Sequence, residues 1–145
     1  MFKHILLPTD GSKLSENSVK HGMQLAKALG AKVTALHVIP KFKTFTYQVE
    51  MLESSRGEYA AESVERAKRF LGFVKKVASG AGVTCDVVHV VSDQPFKEII
   101  KSAGKRNCDL ILMASHGRRG IEGFLLGSET QKVLTHSTIP VLVYR

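Results

Sequence analysis

Lys3-His4-Ile5-Leu6-Leu7-Pro8-Thr9-Asp10-Gly11-Ser12-Lys13 is the stretch whose reading decides the fold. Its apolar run breaks at Pro8, too early for the ~7–15-residue core of a signal peptide or the ~18–20 apolar residues of a membrane span. Asp10-Gly11-Ser12 is turn chemistry, and Lys13–Leu29 then carries Val19, Met23, Leu25, Ala26 and Leu29 at three- and four-residue spacing. Ser12 or Ser15 can serve as its N-cap and Gly30 as its stop. A short buried strand handed directly to an amphipathic helix is the opening half of a βαβ unit.

The alternation continues outward from this start. Lys32–Ile39 reads as a second strand closed by Pro40, and Val83–Val91 as a third, rich in valine. Between them, residues 41–55 lack a clear period despite Phe42, Phe45 and Tyr47, and read as a connection able to fold over a site. Gly57–Ala78 is a helix with Ala60, Val64, Ala67, Leu71, Val74 and Ala78 as its buried stripe. Asp93 is the expected cap of a helix with Pro95 in its first turn and Phe96, Ile99, Ile100 and Ala103 on its inner face. Leu110–Ala114 forms a fourth strand, Ser115–Gly127 a glycine-rich loop, Ser128 to about His136 a short helix, and Val141–Tyr144 a fifth strand.

This pattern predicts an α/β fold: a single doubly wound domain over residues 1–145, with a five-stranded parallel sheet in the order 3-2-1-4-5 and helices on both faces. With the first strand central, the chain reverses direction between the first and fourth strands, and ligands of such sheets bind in that crevice. The loops after those two strands are therefore where function is expected.

Composition narrows the function classes. The chain has 145 residues, 43% hydrophobic, and 21 Lys+Arg against 13 Asp+Glu for a net charge of +8. Such a charge invites a nucleic-acid reading, but Lys13, Lys20 and Lys27 recur at helical spacing and Lys68, Arg69, Lys75 and Lys76 interleave with Glu62 and Glu65. Trp is absent, so no stacking platform for single strands stands out. Neither a nucleic-acid partner nor a membrane is expected, and the expected location is the cytoplasm. Cys85 and Cys108 form no CxxC and read as reduced packing residues. His37 and His89 lie on strands without partners at ligand spacing, so no metal site is expected.

The loop after the fourth strand runs Met113-Ala114-Ser115-His116-Gly117-Arg118-Arg119-Gly120-Ile121-Glu122-Gly123-Phe124-Leu125-Leu126-Gly127-Ser128-Glu129-Thr130. Its glycines and the free amides of the following helix can make an anion cradle. Ser128 suits two roles, a phosphate ligand or a helix cap in a Ser-x-x-Gln box with Gln131. Arg118 and Arg119 suit either screening of phosphate charge or an exposed loop. His116 reads as a brace of the loop. There is no GxxxxGK[ST] phosphate loop and no GxGxxG after the first strand.

The segment His4–Ser12, Leu36-His37-Val38 at the end of the second strand, Ser115-His116-Gly117-x9-Gly127-Ser128 and Ile139-Pro140-Val141-Leu142-Val143 resemble, in order and over the whole chain, the universal stress protein family. The resemblance implies a single-domain α/β fold, a homodimer, and, in one subgroup, ATP bound through Gly-x2-Gly-x9-Gly-[Ser/Thr]. Carried over by position, Asp10 with the neighbouring Pro8 and Thr9, and the backbone around Val38, hold the adenosine end. Met113, Ala114, Gly117, Arg118, Gly127 and Ser128 follow the phosphate loop, with Glu129 and Thr130 contributing backbone groups. The implied cofactor is ATP, with Mg2+ open as its companion. One position departs, since Ala114 stands where the family has its first glycine. If φ is positive there, the methyl costs on the order of 1 kcal/mol. If it is negative, alanine keeps the strand-end conformation.

Asp10 suits ribose hydroxyls or a cation on one reading, and the turn into Gly11 on the other. No Ser-His-Asp or Cys-His spacing suggests covalent catalysis, so any ATP hydrolysis or autophosphorylation is expected to be slow. The last strand, Val141–Arg145, leaves an apolar edge, the expected site of two-fold pairing. The expected function is a nucleotide-linked switch in a stress-response homodimer. The competing reading is a dimeric interaction or protective module that binds no nucleotide.

Overall fold

The computed structural model describes residues 1–42, 49–117 and 126–145, and side chains of 49–54 fall outside that description. Its elements are β1 (His4–Pro8), α1 (Lys13–Leu29), β2 (Lys32–Ile39), α2 (Val49–Ala81), β3 (Cys85–Val91), α3 (Pro95–Lys105), β4 (Leu110–Ala114), α4 (Ser128–His136) and β5 (Val141–Tyr144). The strands form one parallel sheet in the order β3-β2-β1-β4-β5. The expected order and class are therefore met.

Alternation along the central strands divides the core. Ile5 and Leu7 of β1, Val33 and Ala35 of β2, and Leu110 and Leu112 of β4 pack with α1 and α2 through Val19, Met23, Ala26, Leu71 and Val74. Leu6, Leu36, Ile111 and Met113 point to the other face, against Ile99 and Ala103 of α3 and Val133 of α4. Strands buried on both faces are the reason these segments read as unbroken apolar runs.

Three details correct the sequence reading. α2 begins at Val49, well before Gly57, and Ala60 is exposed; the buried line runs through Ser63, Ala67, Leu71, Val74 and Ala78. Residues 55–58 and 60–62 are exposed, so this end of the helix has no buried face to impress a period on the sequence. The ladder of β3 starts at Cys85 opposite Val33, two residues after Val83, whose amide donates to Ala78 at the end of α2. Asp93 does not cap α3. The cap position is Gln94, without a side-chain bond, and an Asp93 oxygen accepts the Lys41 amide at 3.0 Å.

At the N-terminal end of the strands, Asp109 accepts the amides of Lys3 and His4, which outweigh the upward pull of burial and hold its carboxyl below the ordinary value. The buried His4 ring lies 2.8 Å from the Thr34 hydroxyl, and burial, helped by Lys32, lowers its pKa. Both cysteines are free thiols. No helix of the described residues is long and apolar enough to cross a membrane.

Candidate functional site

The site is assembled where β1 and β4 end side by side. Ile5 and Leu6 pair with Leu110 and Ile111, so the turn after β1 and the loop after β4 leave the sheet as neighbours. β2 lies on the other side of β1, with Pro8 opposite Leu36, which brings Val38 level with the turn that follows Pro8.

That turn is held by a dense set of hydrogen bonds. The buried Thr9 donates its amide to the Leu36 carbonyl at 2.8 Å, and its hydroxyl oxygen accepts from the Ser15 hydroxyl at 2.6 Å and the Gly11 amide at 3.3 Å. Ser15 Oγ also accepts the Asp10 amide at 3.3 Å. Ser12, not Ser15, is the N-cap of α1: its hydroxyl accepts the Ser15 amide at 3.2 Å. Gly11 has φ +76°, and a β-carbon there would collide with the Phe70 ring of α2, so the position requires glycine twice over.

Asp10 has one carboxylate oxygen in that network, accepting the Ser12 amide at 2.9 Å. This is the turn-fixing role. Its other oxygen lies against Gly117 from the second loop, in the space a β-carbon at 117 would occupy. The carboxylate thus bridges the two loops across the crevice.

The second loop begins at β4. Met113 and Ala114 are buried strand residues, paired with Val143 and Tyr144 of β5. Among the described residues only Asn107 combines a side chain with positive φ, so Ala114 has negative φ and its methyl carries no backbone strain. The Ser115 amide donates to the Tyr144 carbonyl at 2.7 Å, and the Ser115 carbonyl accepts the Gly127 amide at 2.7 Å. Gly127 passes so close to His116 that a β-carbon would stand 3.0 Å from its Cα. The two ends of the loop are therefore pinned together just before α4. His116 contributes as a brace, its Nδ1 lying 3.1 Å from the Ser115 hydroxyl. Arg118 and Arg119 lie outside the described residues.

Of the two roles open to Ser128, the capping box at α4 does not form. Gly127 is the cap residue, Ser128 is the first helical residue, and Gln131 Nε2 donates to the Leu126 carbonyl instead. The first amide used within the helix is that of Gln131, donated to Gly127, so the amides of Ser128, Glu129 and Thr130 precede the helix's own ladder. The side chains of the last two are engaged elsewhere. Thr130 donates its hydroxyl to the Ala114 carbonyl at 3.0 Å, and Glu129 Oε2 accepts the Phe96 amide of α3 at 2.9 Å. Backbone donors at the mouth of α4 are what these residues can offer an anion.

Sequence reasoning missed the part played by His37. It is buried, as a packed strand histidine would be, but its Nδ1 lies 2.8 Å from the Thr9 carbonyl and its ring meets the Phe70 ring edge-on. Its sole local signal is its place one residue before Val38. His89 is exposed. Among the described residues no group of three or more His, Cys, Asp or Glu side chains could hold a metal ion.

This architecture has known counterparts. The model of the universal stress protein family matches residues 1–145. Universal stress protein MJ0531 of Methanocaldococcus jannaschii is 33% identical over 145 residues, covering 100% of this chain and 83% of that protein. The solved structure of hypothetical protein MJ0577 superposes with a TM-score of 0.83 at 34% identity, covering 99% of this chain and 95% of that one. At 24% identity and a TM-score of 0.72, a universal stress protein in complex with cAMP shares the fold over 99% of this chain and 97% of its own. The Archaeoglobus fulgidus universal stress protein in complex with dAMP does so at 16% identity and 0.71, over 100% and 98%. With its whole length matched by the family model and by relatives a third identical, the chain belongs to the universal stress protein family.

Proposed function

We propose that this protein is a cytoplasmic stress-response homodimer that binds ATP at the crevice between β1 and β4 and uses the bound nucleotide to select a conformation or partner surface. The observation that carries the reading is the contact of the Asp10 carboxylate with Gly117, which draws an acceptor for ribose hydroxyls and the glycine-rich loop to the same switch point, beside the start of α4. The residues fit the ligand. Negative φ at Ala114 keeps the departing position in strand geometry, and glycine at 117 and 127 lets Asp10 and His116 close against the loop beside the start of α4.

In this reading the backbone of Val38, beside Pro8 and Thr9, takes the base, and Asp10 takes the ribose. Met113 and Ala114 form the floor at the end of β4. The amides of Ser128, Glu129 and Thr130 face the phosphates, with Arg118 and the Ser128 hydroxyl adding charge and a donor. Mg2+ would join as the companion of the ATP phosphates, held chiefly by their oxygens, since no metal-holding group of side chains stands among the described residues. The cAMP and dAMP carried by the two solved relatives support an adenine nucleotide as the ligand class.

The nucleotide is linked to assembly through β5. Its Tyr144 carbonyl accepts the first amide of the phosphate loop, and Leu142, 45% exposed, presents an apolar edge for two-fold pairing through Val141–Arg145. Calorimetric titration with ATP, AMP and GTP, joined to sedimentation with and without ATP, tests the reading. Saturable ATP binding by a dimer is expected. A protein that takes up no ATP at millimolar concentration overturns it and leaves the nucleotide-free interaction module.

A further inference from the structure

His37 sits behind the proposed base site, and it alters a rung of the sheet. In β2 the backbone groups of alternate residues face β1: Lys32 donates its amide to Lys3, and the Leu36 carbonyl accepts the Thr9 amide at 2.8 Å. Val38 is next in that series, so its N–H and C=O also face β1. A continuing parallel ladder would have the Val38 amide donate to the Thr9 carbonyl. That rung is not made among the described residues. The Thr9 carbonyl instead accepts from His37 Nδ1 at 2.8 Å, which fixes the hydrogen on Nδ1.

The His37 side chain is itself held in place. Its ring meets Phe70 of α2 at 5.1 Å between centroids and 81° between planes, and Phe70 also covers Gly11. One aromatic contact thus ties the ring that holds Thr9 to the turn that carries Asp10.

We propose that His37 is a positioning residue for base recognition: by occupying the Thr9 carbonyl it ends the β1–β2 ladder one rung early and leaves the Val38 amide and carbonyl for the edge of an adenine. This rests on the nucleotide reading above and goes beyond it. Adenine offers a ring-nitrogen acceptor beside an exocyclic amine donor, which a backbone N–H and C=O can match, whereas guanine presents a donor and an acceptor in the opposite sense. His37 therefore acts on the choice of base without touching the nucleotide.

Two variants separate the hydrogen bond from the packing. His37→Phe keeps an aromatic ring against Phe70 and loses the donor, while His37→Asn restores an N–H near the position of Nδ1. The measurements are amide hydrogen exchange at Val38 and calorimetric binding of ATP and GTP. In ligand-free wild-type protein the Val38 amide exchanges rapidly, and ATP slows it. In His37→Phe the Val38 amide turns to Thr9 and becomes protected without ligand, ATP affinity falls about tenfold or more, the scale of one lost hydrogen bond, and the preference for ATP over GTP narrows. His37→Asn restores both affinity and preference, which a purely structural role would not. A wild-type Val38 amide already protected without ligand, or a His37→Phe protein that binds ATP as wild type does, overturns the proposal. Wild-type protein that binds neither nucleotide overturns the nucleotide reading itself, and the exchange at Val38 then still reports whether His37 breaks the ladder.

Discussion

The Asp10 carboxylate stands against the α-carbon of Gly117, one oxygen tied to the Ser12 amide at 2.9 Å and the other filling the place of a side chain at 117. Residues more than a hundred positions apart thus meet with no room for a methyl. Gly117→Ala should push Asp10 out of its turn and weaken ATP binding about tenfold. Gly117 is exposed, so the cost in stability should stay near ~1 kcal/mol. The clash predicts coupling: in an Asp10→Ala background, Gly117→Ala should change the thermal midpoint far less than in wild type. Equal shifts in both backgrounds would mean that the two residues do not press on one another.

A second long-range bond joins two helix starts. Glu129 in the first turn of α4 accepts the Phe96 amide at 2.9 Å and so supplies the cap that Gln94 does not give α3. Glu129→Ala should lower unfolding free energy in urea by about 1–2 kcal/mol, and Glu129→Gln by less, since its amide oxygen still accepts. The Lys132 partner of Glu129 is half exposed, so Lys132→Ala should cost little. A larger effect for Lys132→Ala than for Glu129→Ala would show that the ion pair, and not the cap, holds the helices.

What could be read from the residues followed from how local its cause was. Ile5, Leu6 and Leu7 are apolar in succession because β1 is covered on both faces, and such runs, recurring with helices between them, point to the parallel sheet, whose order follows from right-handed crossovers with β1 central. The start of α2 was not legible, because exposed residues such as Ala60 and Glu62 carry no burial signal. Asp93 is a sound cap by type, but the group that binds the α3 amide is Glu129, 33 residues away. Asp10 could be singled out by its place after the central strand, whereas its contact with Gly117 and the bond of His37 to Thr9 depend on the tertiary structure. The ATP assignment came from family motifs, and no periodicity or spacing could have supplied it.

The thiols should be poor nucleophiles at neutral pH. Burial pushes both Cys85 and Cys108 up to about 11, from an ordinary value of 9.0. At equal pH the thiolate fraction is then about a hundredfold below that of a free thiol, and the attacking species is the thiolate. Iodoacetamide should therefore label the native protein slowly and the urea-unfolded protein rapidly, as read by mass spectrometry. Fast labelling of Cys108 in native protein would contradict its burial beside Leu110 and Ala103.

Acid should weaken the fold in two separable stages. His4 has its folded pKa below 6.5, so below that value the unfolded chain takes up a proton that the native chain resists, and stability falls with pH from about 6.5 downward until the native ring also protonates. Asp109 acts lower. Its folded pKa lies below 3.8, so the stability it contributes is present above about 3.8 and is lost as pH falls through the folded value. His4→Gln, which keeps a polar group near Thr34, should flatten the decline in urea midpoint that sets in below about pH 6.5 and leave the steeper loss below about pH 3.8. Asp109→Asn should do the reverse, since a neutral amide oxygen still accepts from Lys3 and His4 but no longer titrates. If His4→Gln left the upper decline unchanged, another group would have to be taking up the proton, because His4 is where burial and the neighbouring Lys32 oppose a positive charge.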